Sequence, residues 1–200
     1  MTDAESGASP HGRLPGLAPA DLDNDQRALY DTIAGGPRAK NRTVPLTDRQ
    51  GHLLGPFNAM LLSPTLGGPL QEVGSAIRYR SVLPPRLREM LILAVATYTG
   101  CSFERYAHEP PGRAAGLTEE EITGLRSAFY VPADPGEAVA YQVATRLLAR
   151  KPVDDELYAA AVSALGKRGV FELSTLVGYY ATLAMQMSLF GVTAPGQSES

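Results

Sequence analysis

Three side chains that could transfer a proton or act as a nucleophile lie close together in the middle of the chain. Cys101, Glu104 and His108 are separated by three and four residues, so on one helix they share a face. A buried carboxylate beside an imidazole is a workable general acid/base pair near neutral pH. Glu89 lies one helix length upstream and can join the cluster only if the chain bends near Gly100.

The same spacing also has structural explanations. Glu and His four residues apart pair on the surface of many helices, and a lone cysteine on an apolar face often packs as a small hydrophobe. No second pair of ligands faces Glu104 and His108, so no metal site is predicted. Of the other histidines, His11 is expected to be solvent-exposed, and a structural role for His52 is at least as plausible as a functional one.

Helices must position these residues, because apolar residues recur at helical spacing and no strand with alternating polarity is evident. Pro84-Pro85 opens the longest helical run, whose centre is apolar on nearly every side and should be buried all round. Thr118 and Glu121 form a capping box at the start of a short helix. Other helices are predicted at residues 22–33, 69–79, 101–115, 135–148, 154–165 and 170–189, with short helical pieces between Pro56 and Pro64. The fold class is therefore all-α.

Length and composition predict a single globular domain. The chain has 200 residues, of which 44% are hydrophobic and 20% charged. Residues 1–20 are rich in Ser, Gly, Pro and Ala and are predicted to be a flexible arm, residues 192–200 a flexible tail, and residues 21–191 the domain. The polar segment 37–50 is an unusually long loop that could lie over a site or a partner chain.

The charge and the cysteine count exclude several classes of function. A net charge of −3 gives no basic field for nucleic acid or anionic lipid. One cysteine excludes an intrachain disulfide and a two-cysteine redox motif. No apolar run reaches the roughly 18 residues of a membrane span, and the first residues do not have the pattern of a signal peptide. We therefore expect a soluble cytoplasmic protein that binds neither nucleic acid nor membrane.

Residues 86–122 resemble the core of the carboxymuconolactone decarboxylase and alkyl hydroperoxidase D superfamily, and the similarity extends from about Gly55 to Gly191. The segments GPFNAMLLSP and ELSTLVGYYATLAMQM carry it outside the core. The resemblance implies an all-helical fold that assembles as trimers or hexamers. The strongly apolar segments 90–96 and 173–189 favour the same expectation of a homotrimer or trimer-based hexamer.

The peroxidase members of this superfamily carry the motif E-x11-C-x-H-C-x3-H, which this chain matches only in part. Glu89, Cys101 and His108 match the first glutamate, the first cysteine and the last histidine. Phe103 replaces the middle histidine, and Glu104 replaces the second cysteine. The resemblance thus implies that no intrachain disulfide can resolve an oxidised Cys101, which would need an external thiol.

The decarboxylase members need no thiol, metal or organic cofactor, and the resemblance to them implies a cofactor-independent lyase or isomerase. Proton transfer on a small carboxylate or carbonyl substrate would then rest on Glu104 and His108, with support from Glu89. Two alternatives stay open. One is a thiol-dependent peroxidase of peroxiredoxin type, in which Cys101 reacts with an external reductant, and the other is a non-catalytic binding or scaffold protein.

Three further residues are candidates for binding the substrate. Arg80 lies near the start of the longest helix and could pair with a substrate carboxylate. Asn58 is polar in an apolar setting and therefore needs a partner. Tyr106 follows Glu104, although helical geometry turns its side chain away from that carboxylate.

Overall fold

A computed structural model describes residues 11–36, 44–127 and 130–195, and its secondary structure is helical. Apart from an isolated bridge between Thr47 and Leu53, these residues contain no β-pairing. The all-α prediction is therefore confirmed. The α-helices are α1 (Asn24–Ala34), α2 (Pro56–Met60), α3 (Pro64–Arg80), α4 (Pro85–Tyr98), α5 (Ser102–Ala114), α6 (Glu119–Arg126), α7 (Pro135–Leu148) and α8 (Asp155–Phe190), and a 3-10 helix covers Pro19–Asp21.

The chain divides into two compact units. One is drawn from Met1–Gln71 and Gln186–Ser200, and the other is Glu72–Met185. The second unit carries all four residues that the sequence nominates for catalysis. The division into units does not test the expected domain limits, residues 21 and 191, which stay a prediction.

The helix starts follow from local chemistry in the sequence. Pro85 occupies the first turn of α4, where its missing N–H costs nothing. Thr118 and Glu121 form the predicted reciprocal capping box at the start of α6. The side chain of Asp134 accepts a hydrogen bond from the backbone N–H of Glu137 at the start of α7.

Helix α4 lies in the core of the second unit. Its residues from Met90 to Ala96 are all buried, as the apolar pattern predicts. It packs against α5, α6 and α7. Because α4 is enclosed, the polar side chain that it carries at Glu89 is also withdrawn from solvent.

One helix boundary differs from the prediction. Helix α3 begins at Pro64 rather than at residue 69, because the Ser63 carbonyl accepts from the N–H groups of Leu66 and Gly67 and so closes the first turn. Pro69 is tolerated inside this helix. The helices predicted at 154–165 and 170–189 are both present within the stretch α8, where a kink at Gly166, with φ 69° and ψ 163°, separates them.

Residues 11–18 of the predicted N-terminal arm make specific contacts. His11 is 6% exposed, so the prediction of an exposed histidine is wrong. The backbone N–H of Arg13 donates to the Phe190 carbonyl at 2.7 Å, and Asn58 binds the backbone of this segment at Pro15 and Leu17. Residues 1–10, 37–43 and 196–200, parts of the predicted arm, loop and tail, lie outside the described residues. Within the described part of the chain, no helix is long and apolar enough to cross a membrane.

Candidate active site

A glycine turn ends α4 and directs the chain back along it. Gly100 has φ 68°, a left-handed conformation that favours glycine. The N–H of Gly100 donates to the Thr97 carbonyl at 3.2 Å, and that of Cys101 donates to the Ala96 carbonyl at 2.9 Å. This is the Schellman pattern of a helix C-terminus. Cys101 then becomes the N-cap residue of α5, so the bend required to bring Glu89 to the cluster is present.

Helix α5 approaches α4 closely at Gly112. A Cβ atom at this position would lie 3.0 Å from Cδ1 of Leu117 and 3.8 Å from Cβ of Glu89. The missing side chain therefore leaves room for Leu117, and the backbone of α5 lies within ordinary van der Waals reach of the Glu89 turn of α4. This contact, together with the bend at Gly100, fixes the distance between the two helices at the candidate site.

Glu89, His108 and Glu104 form a buried, continuous set of polar contacts. Nδ1 of His108 lies 2.8 Å from Oε2 of Glu89, and Nε2 of His108 lies 3.3 Å from Oε2 of Glu104. The exposed fractions of Glu89, Glu104 and His108 are only 2%, 3% and 7%. We call these three residues the carboxylate–imidazole relay. One imidazole between two carboxylates can accept a proton on one side and release one on the other.

Opposing effects act on the Glu89 carboxyl group. Burial raises its pKa, but the charge that His108 carries when protonated and the hydrogen bond of that ring, with the more distant Arg78 and Arg88, outweigh burial and hold the pKa below its usual value. Nε of Arg88 is 3.8 Å from Oε1 of Glu89. Glu89 is therefore ionised at neutral pH and accepts the hydrogen bond from Nδ1–H of His108.

Tyr180 on α8 packs its ring against the imidazole of His108. The ring centroids are 5.2 Å apart and the rings are nearly perpendicular, at 89°. Burial, followed by the charges of Glu104 and Glu89, raises the pKa of Tyr180 well above its usual value, so its hydroxyl stays protonated. No local pattern favours Tyr180 over other aromatic residues of α8, because its neighbour His108 lies 72 positions earlier in the chain.

Cys101 lies at the start of α5 and is 8% exposed. Burial and then the nearby charge of Glu104 raise the pKa of its thiol to about 11, against the weaker opposing effect of backbone N–H groups. A thiol of this pKa is almost entirely protonated at neutral pH. The charge of Glu104 therefore acts on the Cys101 thiol, and this protonated thiol is a weak nucleophile.

The three candidates for substrate binding lie apart from these contacts. Asn58 belongs to the other unit, and both polar atoms of its side chain bond to backbone, to Leu17 N–H and to the Pro15 carbonyl at 3.0 Å each. Tyr106 is half-buried and contacts the ring of Phe103 at 6.0 Å between centroids. These contacts give Asn58 and Tyr106 structural roles and add no support for substrate binding.

Arg80 is exposed and lines a cavity of about 360 Å³ between α3 and α8. The other residues that line this cavity are Val73, Ala76, Ile77, Ser81, Arg168, Phe171, Glu172 and Thr175. A second cavity of about 420 Å³ lies beside the start of α4 and is lined by residues that include Leu87 and Glu137. The relay residues line neither cavity.

Comparison with known proteins supports the same fold. The carboxymuconolactone decarboxylase family matches residues 64–146. The AhpD core of a peroxidase-related protein from Ralstonia eutropha JMP134 has a similar structure, with a TM-score of 0.74, 14% identity and coverage of 94% of this chain and 95% of that one. A peroxidase-related protein from Silicibacter sp. TM1040 gives a TM-score of 0.72 at 13% identity, covering 98% and 96% of the two chains.

A third similar structure is the debrominase Bmp8 in complex with 2,3,4-tribromopyrrole, with a TM-score of 0.66, 11% identity and 90% of each chain covered. A search of curated proteins gives no significant match. The family match over residues 64–146 and the shared helical fold support the resemblance to the carboxymuconolactone decarboxylase and AhpD superfamily that the sequence indicates.

Proposed function

We propose that the protein is a cofactor-independent enzyme that moves protons on a small carboxylate or carbonyl substrate, in a decarboxylation or an isomerisation. The observation that carries this proposal is the buried contact of His108 with both Glu89 and Glu104, at 2.8 and 3.3 Å. Perturbed ionisable groups held together out of water are a common feature of acid/base sites.

In this proposal Glu89 orients the imidazole, and Glu104 exchanges the proton. Ionised Glu89 holds a proton on Nδ1 of His108, which leaves Nε2 to face Glu104. A proton taken from the substrate by Glu104 can then pass to Nε2, and the positive charge that forms on the ring is stabilised by Glu89. Return of the proton to another atom of the substrate completes an isomerisation, and its return to the carbon that has lost CO₂ completes a decarboxylation.

Proton transfer by the relay is better supported than thiolate chemistry at Cys101. With a thiol pKa of about 11, only about 1 in 10⁴ molecules carries the thiolate at pH 7. Proton transfer through the relay needs no thiolate. The acid/base function therefore fits the burial and charges of this site better than peroxide reduction does.

A panel of probe compounds tests the proposal. Carboxylated lactones and β-keto acids are incubated with the wild-type protein, Cys101→Ser and His108→Gln. Turnover is measured by CO₂ release or by NMR of the substrate's protons. We expect Cys101→Ser to stay within about tenfold of wild type and His108→Gln to lose about 10²–10⁴-fold in kcat. The opposite ranking of these two variants would contradict acid/base function.

A second candidate function, thiol chemistry at Cys101, is favoured by one observation. Glu104 is near enough to Cys101 to affect its pKa, so the relay could also accept the thiol proton during attack on a peroxide. The similar structures include peroxidase-related proteins and a debrominase. This candidate predicts consumption of alkyl hydroperoxide with an added thiol reductant, trapping of a sulfenic acid by dimedone, and loss of both in Cys101→Ser. If neither the panel nor the peroxide is turned over, the non-catalytic binding function gains support.

A further inference from the structure

A second group of ionisable side chains, which the proposed function does not use, lies in the other unit. His11, Asp48 and His52 come together although the first is 37 residues from the second. Nε2 of His11 is 3.1 Å, and Nδ1 of His52 is 2.7 Å, from the same atom, Oδ2 of Asp48. The imidazole rings meet edge to face with centroids 5.5 Å apart. One ligand atom from each residue lies within 4.8 Å of the others.

The carboxylate of Asp48 is held in place by its own turn. Its other oxygen, Oδ1, accepts from the backbone N–H groups of Gln50 and His52 at 2.9 Å each. The Asp48 N–H donates to the His52 carbonyl at 3.0 Å, and a bridge between Thr47 and Leu53 closes the turn. Such bonds to the second oxygen orient a carboxylate ligand and leave Oδ2 to face the two imidazoles.

Both histidines are also fixed from outside the turn. A Cβ atom on Gly16 would lie 2.6 Å from Cγ of His52, so the backbone of the N-terminal segment packs directly on that ring. Arg13, two residues after His11, donates from its backbone N–H to the Phe190 carbonyl and from its guanidinium to the Leu189 carbonyl, at 2.7 Å each. The three ligand atoms are thus supported by separate parts of the chain and converge without any change of backbone.

We propose that His11, Asp48 and His52 bind one divalent transition-metal ion of the Zn²⁺ type, which clamps the N-terminal segment onto the turn at residues 48–52. Two imidazole nitrogens and one carboxylate oxygen are the donors that such ions prefer, whereas Mg²⁺ prefers oxygen ligands alone. Three protein ligands leave at least one coordination position for water.

The ion would take the place of the protons that the histidines share with Asp48. Zinc binds these donors at about 2.0–2.2 Å, which puts neighbouring ligand atoms roughly 3.4 Å apart in a tetrahedral site. The present contacts of 3.1 and 2.7 Å are close to that spacing, and the two imidazole nitrogens lie within 4.8 Å of each other. The single proton of each neutral imidazole would then move to the ring nitrogen that does not bind the ion, so binding changes the tautomer of both rings.

Titration of the tag-free full-length protein with Zn²⁺ tests this inference by calorimetry. We expect one site with a Kd of about 1 µM or tighter, and no saturable binding of Mg²⁺ at the same concentrations. His52→Gln, His11→Gln and Asp48→Asn should each weaken zinc binding at least about 100-fold. Asp31→Asn, which changes an exposed aspartate outside the cluster, is the matched control for Asp48→Asn and should bind zinc like the wild type.

Two readouts do not depend on the variants folding. Co²⁺ should produce the intense visible absorption of a four-coordinate site, displaced by one equivalent of Zn²⁺. Zinc should also protect His52, whose side chain is 21% exposed, from diethyl pyrocarbonate in the wild-type protein. Absence of saturable zinc binding, binding that leaves His52 of the wild-type protein unprotected, or equal zinc binding by Asp48→Asn and Asp31→Asn would each overturn the proposal and leave the three residues as a hydrogen-bonded cluster. None of these results bears on the acid/base relay, which lies in the other unit.

Discussion

Nδ1 of His108 lies 2.8 Å from Oε2 of Glu89, a residue 19 positions earlier and on a different helix. This contact joins α4 to α5 at a point where both side chains are almost completely buried. It also determines which nitrogen of the neutral imidazole carries the proton, because an ionised carboxylate holds a proton on the nitrogen that faces it. Glu89 therefore acts on stability and on the proposed chemistry through the same hydrogen bond.

Removal of Glu89 should destabilise the protein strongly. Glu89→Ala leaves His108 and Arg88 without their buried partner, and we expect a loss of about 3–5 kcal/mol in the free energy of unfolding. Glu89→Gln should cost less, since an amide can still accept the hydrogen bond from Nδ1–H. Urea unfolding followed by circular dichroism measures both, with the exposed Glu120→Ala as a control that stays within about 0.5 kcal/mol of wild type. Equal stabilities of Glu89→Ala and wild type would show that the contact does not hold α4 and α5 together.

Tyr180 should support His108 through its ring rather than its hydroxyl. Tyr180→Phe keeps the edge-to-face contact, so kcat should stay within a few-fold of wild type and the free energy of unfolding should fall by only about 0.5–1.5 kcal/mol. Tyr180→Ala removes the contact, opens a cavity beside the imidazole and should cost about 3–5 kcal/mol. A Phe variant as inactive as the Ala variant would instead place the hydroxyl in the chemistry.

Those parts of the fold that depend on neighbours in sequence were predictable. The proline at the start of α4, the capping box of α6, the bend at Gly100 and the i, i+4 pair of Glu104 and His108 are all encoded within a few residues. Contacts between segments that are distant in the sequence were not predictable. Burial of His11 requires the turn that carries Asp48, and that pairing leaves no local signal in a segment rich in Ser, Gly and Pro.

Stability in acid should depend on the ion pair of Arg86 with Glu121. The hydrogen bonds from Arg86 lower the pKa of Glu121 to about 2, so this carboxyl group is more acidic in the folded than in the unfolded chain. Its contribution is complete above the unfolded pKa of roughly 4.3 and is lost as the pH falls towards 2.

Glu121→Gln should therefore be less stable than wild type at pH 6, by on the order of 1 kcal/mol after solvent screening, and should lose less stability between pH 5 and pH 2.5. Urea midpoints measured over this range check the prediction. Parallel pH curves for the two proteins would contradict it.

Assembly into a trimer or a trimer-based hexamer stays a prediction, and the exposed apolar side chains favour it. Phe171 is 69% exposed beside Val73, and Leu66 is 73% exposed. Light scattering at micromolar concentration should give three or six times the 21.3 kDa chain mass. Phe171→Asp should lower that mass if the α3–α8 cavity belongs to the interface, with Lys167→Gln, which changes the net charge by the same amount, as a control on the same helix. A monomeric wild-type protein would contradict the expectation.

The relay itself is tested most directly by a double-mutant comparison, on whichever carboxylated probe the wild-type protein turns over. Glu104→Gln and His108→Ala should each lower kcat by about 10²–10⁴-fold. The double variant should be within about tenfold of the worse single variant, because residues that act as one unit do not contribute independently. Effects that multiply in the double variant, or full activity of His108→Ala, would contradict the claim that Glu104 and His108 transfer one proton together.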